Sequence, residues 1–473
     1  MLRNSCVVRI GLVAAAVLES HLAFASGYQF ATQSALDQGT SGAGAAEAAT
    51  ASTLYSNPAG LSNVDGTSAT INFTRVAPQS GFSFDTARTG NPATPTNVPS
   101  ASNGGDFAKS VLIPTGYISR RLDERYTIGL GVFVPYGAKA AFDNDFAGRY
   151  YTRATDMKSV NINPSIAIKL NDSNSIGFGI SAQYMDASFD KNFNMQSMAV
   201  GACLSSLGAA CSGATLAAVS SAYGPISDAT VHVTGSDWGM GYNLGYMYQP
   251  DRDTRIGLAY RSRITQKLTG TAAFSVPNLP TAGALASLSA GMQAALVSAG
   301  ATVAVTTPAT LSLHGYKHFK GPWAIMGDIT WTSHSDLQTL SIKSPTSTDP
   351  NRNITYSTKW GNAYKFSVGA SYDVSDRFTV RGGYMYDKSP VPGADYALTT
   401  MPDADRQWFS IGATYKLSEN NSVDVAYSYI KLKPASINRT DDDYIASNGT
   451  PGVLVGQYSS RAQVFGIQYN HKF

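Results

Sequence analysis

The chain has 473 residues and a net charge of +3, with 14% charged residues, 44 glycines and 26 tyrosines. Near balance without a block of like charges excludes a nucleic-acid surface and a polybasic lipid anchor. No apolar run reaches the roughly 18 residues a spanning helix needs, which excludes a helical membrane protein, whereas short alternating segments are what a membrane-spanning strand requires.

The first residues read as an export signal. Arg3 and Arg9 flank the start of an apolar stretch from Ile10 to Leu18, and Ala23-Phe24-Ala25 gives the small-x-small pattern of signal-peptidase cleavage. Residues 1–25 are therefore assigned to a signal peptide, with the mature chain beginning at Ser26. The competing reading, an N-terminal anchor, is disfavoured because so short a stretch cannot cross a bilayer.

Residues 26–66 have no strand periodicity. Gly39 to Thr53 is nearly all Gly, Ala, Ser and Thr, too poor in large side chains to build a core, so this stretch needs a surrounding wall. A hatch, or plug, inside a barrel supplies one. A disordered periplasmic tail is the alternative.

From Thr67 to the last residue the pattern has period two. Ile176, Phe178, Ile180, Ala182 and Tyr184 would face lipid, while Gly177, Gly179, Ser181 and Gln183 would face the interior. Near the C-terminus Phe465, Ile467, Tyr469 and Phe473 form one face, and Gly466, Gln468, Asn470 and Lys472 the other. A terminal Phe473 on the lipid face also resembles the signal read by outer-membrane assembly machinery.

Six tight turns are marked by Leu122-Asp123-Glu124, Asn171 to Asn174, Pro250 to Asp253, Lys320-Gly321, Asp373 to Asp376 and Ser418 to Asn421. Seven longer connections, near residues 85–105, 143–148, 195–228, 277–303, 344–354, 389–403 and 439–456, alternate with them. Six and seven connections join fourteen strands. The fold expected is all-β: a membrane-spanning fourteen-stranded antiparallel β-barrel over residues 67–473, whose closure satisfies every backbone donor and acceptor in a medium that offers none.

Strand three should run from Tyr126 through Val134 and break at Pro135-Tyr136-Gly137, because proline removes a ladder donor and glycine relaxes the backbone. A loop that simply starts early at Pro135 is the alternative. Cys203 and Cys211 form an even pair in an exported chain, and a local disulfide between them is expected. No metal site or cofactor is indicated; His314 and His318, on one strand face, would stand about 13 Å apart at roughly 3.3 Å per residue.

Asn57-Pro58-Ala59, Asp237 to Asn243, Tyr260-Arg261-Ser262, Ser389 to Pro392 and Pro402 to Trp408 occur in an order and spacing that resembles the long-chain fatty acid outer-membrane transporter (FadL) family, including its aromatic-hydrocarbon uptake relatives. The resemblance covers essentially the whole mature chain. It implies a fourteen-stranded barrel with an N-terminal hatch, passive uptake of hydrophobic substrates, and a lateral opening at the kinked third strand. It also implies that Asn57, Pro58 and Ala59 sit against Pro135, Tyr136 and Gly137, and that Tyr28 at the hatch tip enters the substrate pocket.

Residues 198–222 and 277–305 are unexpectedly apolar for extracellular segments. Such surface marks a binding site, and in the family the corresponding loops first capture substrate; packing of the loops on one another to cover the mouth is compatible with this. A carboxylate ligand would need an interior cation. Parity from Gly177 places Lys191 inward, at a position where family members can carry a basic contact residue. Parity from Ser367 and Gly369 puts Lys359 inward as a second candidate, in competition with Tyr356. For Lys191, pairing with Asp186 or Asp190 is the structural alternative, and Arg381 and Arg406 read as structural interior charges.

No Ser-His or paired-carboxylate constellation points to an enzyme. A general diffusion porin is the main rival, but it has no reason for apolar outer loops and a hatch. Expected partners are the hydrophobic solute, outer-membrane lipid and lipopolysaccharide, and the assembly machinery during biogenesis, with the chain acting as a monomer in the outer membrane. Fatty acid and aromatic or alkane substrates are not separated by sequence, since each wants an apolar tunnel.

Overall fold

In the computed structural model the described residues are 27–89, 96–283, 285–343, 354–440 and 452–473. The expected signal peptide and parts of four long connections lie outside them.

One continuous antiparallel sheet closes on itself. Its fourteen staves are β1 (Thr67–Thr89), β2 (Val111–Arg121), β3 (Tyr126–Phe133 and Gly137–Ala141), β4 (Ala154–Asn171), β5 (Asn174–Phe193), β6 (Ala229–Asp251), β7 (Thr254–Arg261 and Ile264–Ser275), β8 (Ala299–Thr307 and Thr310–His318), β9 (Trp323–Thr332 and Thr339–Lys343), β10 (Ile354–Ser357 and Ala363–Ser375), β11 (Phe378–Asp387), β12 (Arg406–Ser418), β13 (Asn421–Leu432 and Ala435–Arg439) and β14 (Val453–Lys472). Closure is made by β1 against β14, in register from Ser68↔Lys472 to Arg88↔Val453. The six predicted turns each join two neighbouring staves, and the longer connections gather at the opposite end.

Period-two patterning sets the faces. Ile176, Phe178 and Ile180 are 38–45% exposed, whereas Gly179's neighbour Ser181 and Gln183 are buried. Phe465, Ile467 and Tyr469 are likewise exposed against buried Gln468 and Asn470. Apolar side chains turned out and hydroxyls and amides turned in are the reverse of a water-soluble barrel.

Residues 27–66 lie against the inward face. They form two single-turn helices, α1 (Ala35–Gln38) and α2 (Thr53–Ser56), and two 3-10 turns, Gly44–Ala46 and Pro58–Asn63. The Ser34 side chain caps α1 through the Asp37 N–H, and Asn57 caps the Pro58 turn through the Ala59 N–H. Small residues allow close approach: a Cβ on Gly177 would stand 2.3 Å from Ala59 N, and one on Gly383 2.2 Å from the Thr40 carbonyl. Arg381 of β11 meets Glu47 at 3.0 Å, both nearly buried, so this interior charge is paired to the N-terminal segment.

The connections after β5 and within the β7–β8 hairpin carry three helices, α3 (Met195–Leu207), α4 (Gly213–Tyr223) and α5 (Leu285–Ala295). They pack on one another through Met195, Met198, Val219, Tyr223, Met292 and Leu296, and a disulfide joins Cys203 to Cys211.

Candidate functional site

The third stave breaks where proline was expected to break it. Its lower part pairs with β2 only from Gly116↔Val132 downward, and its upper part, Gly137–Ala141, pairs with β4. Among the described residues, Val111 to Thr115 of β2 have ladder partners on β1 and none on β3. Pro114, which has no N–H to offer, stands in this run. Above it the wall is joined again, at the Ala108↔Ala140 bridge and by the Ala141 N–H donating to the Phe107 carbonyl at 2.9 Å. The result is a bounded window between β2 and β3. Exposed Leu112, Ile118, Leu130 and Ile162 surround it on the outer face, so it opens onto an apolar exterior.

The N-terminal segment covers the window from inside. Phe30 N–H donates to the Pro135 carbonyl at 2.9 Å, and Gly137 N–H to the Tyr28 carbonyl at 2.7 Å; Gln29 bridges Tyr136. Backbone groups freed by the kink are thereby satisfied. Phe30 packs with Val111, Ile113 and Val134 at the window's edges.

Above this segment lies an apolar cavity enclosing roughly 920 Å³, part of it open to solvent. Met157, Phe189, Val233, Leu268, Val305, Leu340, Ile342, Tyr356, Leu398 and Met401 line it, and Tyr28 forms part of its floor. Its described polar lining is made of neutral hydroxyls, with Thr155 and Thr400 bonded to each other at 2.7 Å. The Tyr28 ring lies tilted against Tyr136, centroids 5.7 Å apart, and against Trp360 at 6.1 Å, and its hydroxyl donates to the Thr306 carbonyl at 3.0 Å. Below it, Gln29 lines a second, polar chamber of roughly 710 Å³ with Asp37, Arg261, Asp328 and Lys365. Residues 28 and 29 thus divide an apolar compartment from a polar one.

A sequence model of the outer membrane protein transport protein family (OMPP1/FadL/TodX) matches residues 16–473. The chain belongs to this family. Within it, an outer membrane protein of Neisseria meningitidis serogroup B is 33% identical over 456 residues, 95% of each chain. The long-chain fatty acid transport protein of Escherichia coli O6:H1 is 27% identical over 477 residues, covering both chains completely. The crystal structure of a Pseudomonas aeruginosa FadL homologue superposes with a TM-score of 0.80 at 22% identity, covering 94% of this chain and 100% of the other. The OMPP1/FadL/TodX family resides in the outer membrane of Gram-negative bacteria, and the barrel described above suits that location.

The predicted site residues separate into groups. Tyr28, Pro135, Tyr136 and Gly137 come together at the kink. Asn57, Pro58 and Ala59 do not join them, contrary to expectation. Asn57 Nδ2 donates to the Tyr246 carbonyl at 3.0 Å and lies 2.9 Å from His314 Nε2; Pro58 and Ala59 rest on Gly177 and Gly245. The tripeptide is therefore docked on β5 to β8, where inward glycines leave room for its backbone. Leu54 and Leu61, on either side of it, reach β3 instead, below the kink.

Lys191 is 1% exposed, with its ammonium 4.9 Å from the Phe193 ring centre. It shares the inward face of β5 with Phe189, two residues away and part of the cavity wall. Asp186 and Asp190 are engaged by Lys158 and by Arg153 with His232, respectively. Lys359 is exposed and bonded to the Tyr396 hydroxyl at 2.9 Å, which corrects its inward assignment. The stave is interrupted between Ser357 and Ala363, and Lys359 adopts φ of 42°, so parity does not carry across; Tyr356, its competitor, lines the cavity. Arg406 is buried against Asp387 and Asp403, a structural charge as expected.

Phe30 and Gln33 were not singled out from the sequence, and His314, weighed there only as a metal ligand, instead holds Asn57. Phe30 and Gln33 lie in a stretch without periodicity, and the only signal available was a large apolar and a long amide side chain among small neighbours.

Proposed function

We propose that the protein carries hydrophobic compounds, foremost long-chain fatty acids, passively inward across the outer membrane and releases them sideways through the window in β3. One observation carries this reading: the stretch that covers the window, residues 28–33, also supplies the cavity floor. A ligand that displaces Tyr28 disturbs the cover at the same time. Leaving sideways into lipid spares a solute the roughly 0.8 kcal/mol per methylene of meeting water.

The steps are staged by energetics. Burying a sixteen-carbon chain completely approaches about 12 kcal/mol as an upper estimate, and a single site of that depth would hold its ligand too long. Helices α3 to α5 offer a shallow first contact, with Leu207 of α3 and Val297, two residues past α5, about half exposed. The cavity is the deeper second site, with Tyr28 in contact and the carboxylate turned toward Lys191 at the upper end of β5. Residues 26–66 act as the hatch whose tip yields to the ligand. Lys359, Pro58 and Ala59 have no place in ligand contact; the latter two anchor the hatch base.

A second reading, uptake of uncharged aromatic or alkane hydrocarbons, is favoured by the neutral character of the described cavity lining. The test is uptake into liposomes containing the purified protein, with a radiolabelled fatty acid, toluene and a pentose compared. Saturable entry of the first, competed by the second and without pentose flux, is expected. Pentose flux without saturable fatty acid or toluene entry would turn the reading into a porin.

A further inference from the structure

Covering a window is not the same as fastening it, and one hatch residue does both. The Gln33 amide bonds Val134 in two directions: Nε2 donates to the Val134 carbonyl at 2.8 Å, and Oε1 accepts the Val134 N–H at 3.0 Å. Its own backbone carbonyl accepts from Thr115 Oγ1 at 3.0 Å and from the Tyr117 hydroxyl at 3.3 Å. Val134 is the last residue before Pro135, and Thr115 is the last β2 residue without a partner on β3. Gln33 therefore spans the lower end of the window and is itself 2% exposed. A primary amide carries a C=O and two N–H donors, one of them on the same side as the oxygen, so the side chain bonds both the N–H and the C=O of Val134 as a partner strand residue would and replaces a missing strand rung. Backbone pairing of Tyr28, Gln29 and Phe30 with the kink would hold whatever side chains they carried; the Gln33 bond to Val134 depends on side-chain identity.

We propose that Gln33 is a positioning residue, a latch whose amide stands in for the absent β2–β3 rung and must let go of Val134 before solute leaves through the wall. The inference rests on the lateral-exit reading above. It is specific in chemistry: donor and acceptor are both required, and so is reach. Asparagine is one methylene short, leucine has the bulk without polarity, and a carboxylate accepts but does not donate.

The latch is tested first without any ligand, by amide exchange of Val134 in the purified barrel. Gln33→Leu is expected to raise exchange there by about tenfold, the bias of two neutral hydrogen bonds, with strand amides of β5 unchanged. In Gln33→Glu at pH 8 the carboxylate still accepts the Val134 N–H but no longer donates to its carbonyl. The Val134 protection factor, corrected for the intrinsic pH dependence of exchange, should therefore lie between those of wild type and Gln33→Leu and rise toward wild type as acidification restores an O–H donor, a recovery that a space-filling role would not give. Transport is tested second. Unlatched Gln33→Leu should release a fatty acid into the bilayer faster than wild type. A Gln33→Cys, Val134→Cys variant joined by a cleavable dithiol-reactive linker should lose uptake and recover it on cleavage, with singly substituted protein as the control; Cys203 and Cys211, already bonded, do not take the linker. Unchanged Val134 exchange in Gln33→Leu, or full uptake by the linked variant, overturns the latch. Absence of uptake by wild type, with the exchange results as expected, would instead sink the transport reading and leave the latch as a fastening of the wall.

Discussion

Seating of Pro58-Ala59, the base of the proposed hatch, depends on bare glycine in the wall, and Gly177→Ala isolates that dependence. The added Cβ would stand 2.3 Å from Ala59 N and 2.4 Å from the Pro58 carbonyl carbon, more than about 1 Å inside the ordinary contact of roughly 3.5 Å. Both atoms are backbone, so no side-chain rotation relieves the clash. Pro58-Ala59 must retreat, straining the Ser175 bond to the Ala59 carbonyl at 3.3 Å and the Asn57 contacts with Tyr246 and His314. Overpacking of this kind costs about 1–3 kcal/mol, which raises the share of unseated hatch roughly 5- to 150-fold. Gly315→Ala is the matched control, since the nearest atom to its Cβ is the Arg255 carbonyl at 3.9 Å. The readouts are amide exchange at Ala59 and Gly60, single-channel ion leak, and heat-modifiable migration as the assembly check. Faster exchange and greater leak are expected for Gly177→Ala alone. Equal behaviour of the two variants, each fully assembled, would refute the argument that glycine is there to admit the hatch.

Three other outcomes are expected. Replacing Gly137 by tryptophan should block uptake while the barrel still assembles, because the bulk falls at the window and the Gly137 N–H bond to Tyr28 is disturbed; normal uptake by the assembled variant would remove the lateral route. Lys191→Ala should weaken binding of a fatty acid by about 1–3 kcal/mol while leaving an uncharged hydrocarbon of equal length nearly unaffected, and calorimetry giving equal losses for the two ligands would show that Lys191 acts through packing. The Asp37 carboxyl is pushed up to about 7, by burial first and then by Asp328, against the Gly44 N–H and Lys365. A released hatch, with an ordinary carboxyl near about 4, binds that proton less well, so seating is strongest at low pH and weakens as pH rises from about 4 to 7. Hatch protection factors, corrected for the intrinsic pH dependence of amide exchange, should fall across that range for wild type and stay flat for Asp37→Asn, and a flat wild-type profile would count against a buried, ionisable Asp37.

How much was legible in the sequence differs between wall and interior for a physical reason. Side chains of a strand alternate by local sterics, so Ile176, Phe178 and Gln183 declare their faces without knowledge of any neighbour, and the turn residues between staves declare their own conformations. Strand number, the break at Pro135 and the family therefore followed from the chain read as a line. Parity has no such guarantee past an interruption: Lys359 lies just beyond one, and its left-handed backbone sends it to solvent while Tyr356 takes the cavity. Residues 27–66 carry no period at all. Where Asn57 docks was decided by holes left at Gly177 and Gly245 on strands far away in sequence. Gln33 acquires its role only because Val134, on another element, is left without a rung at the distance an amide side chain can reach.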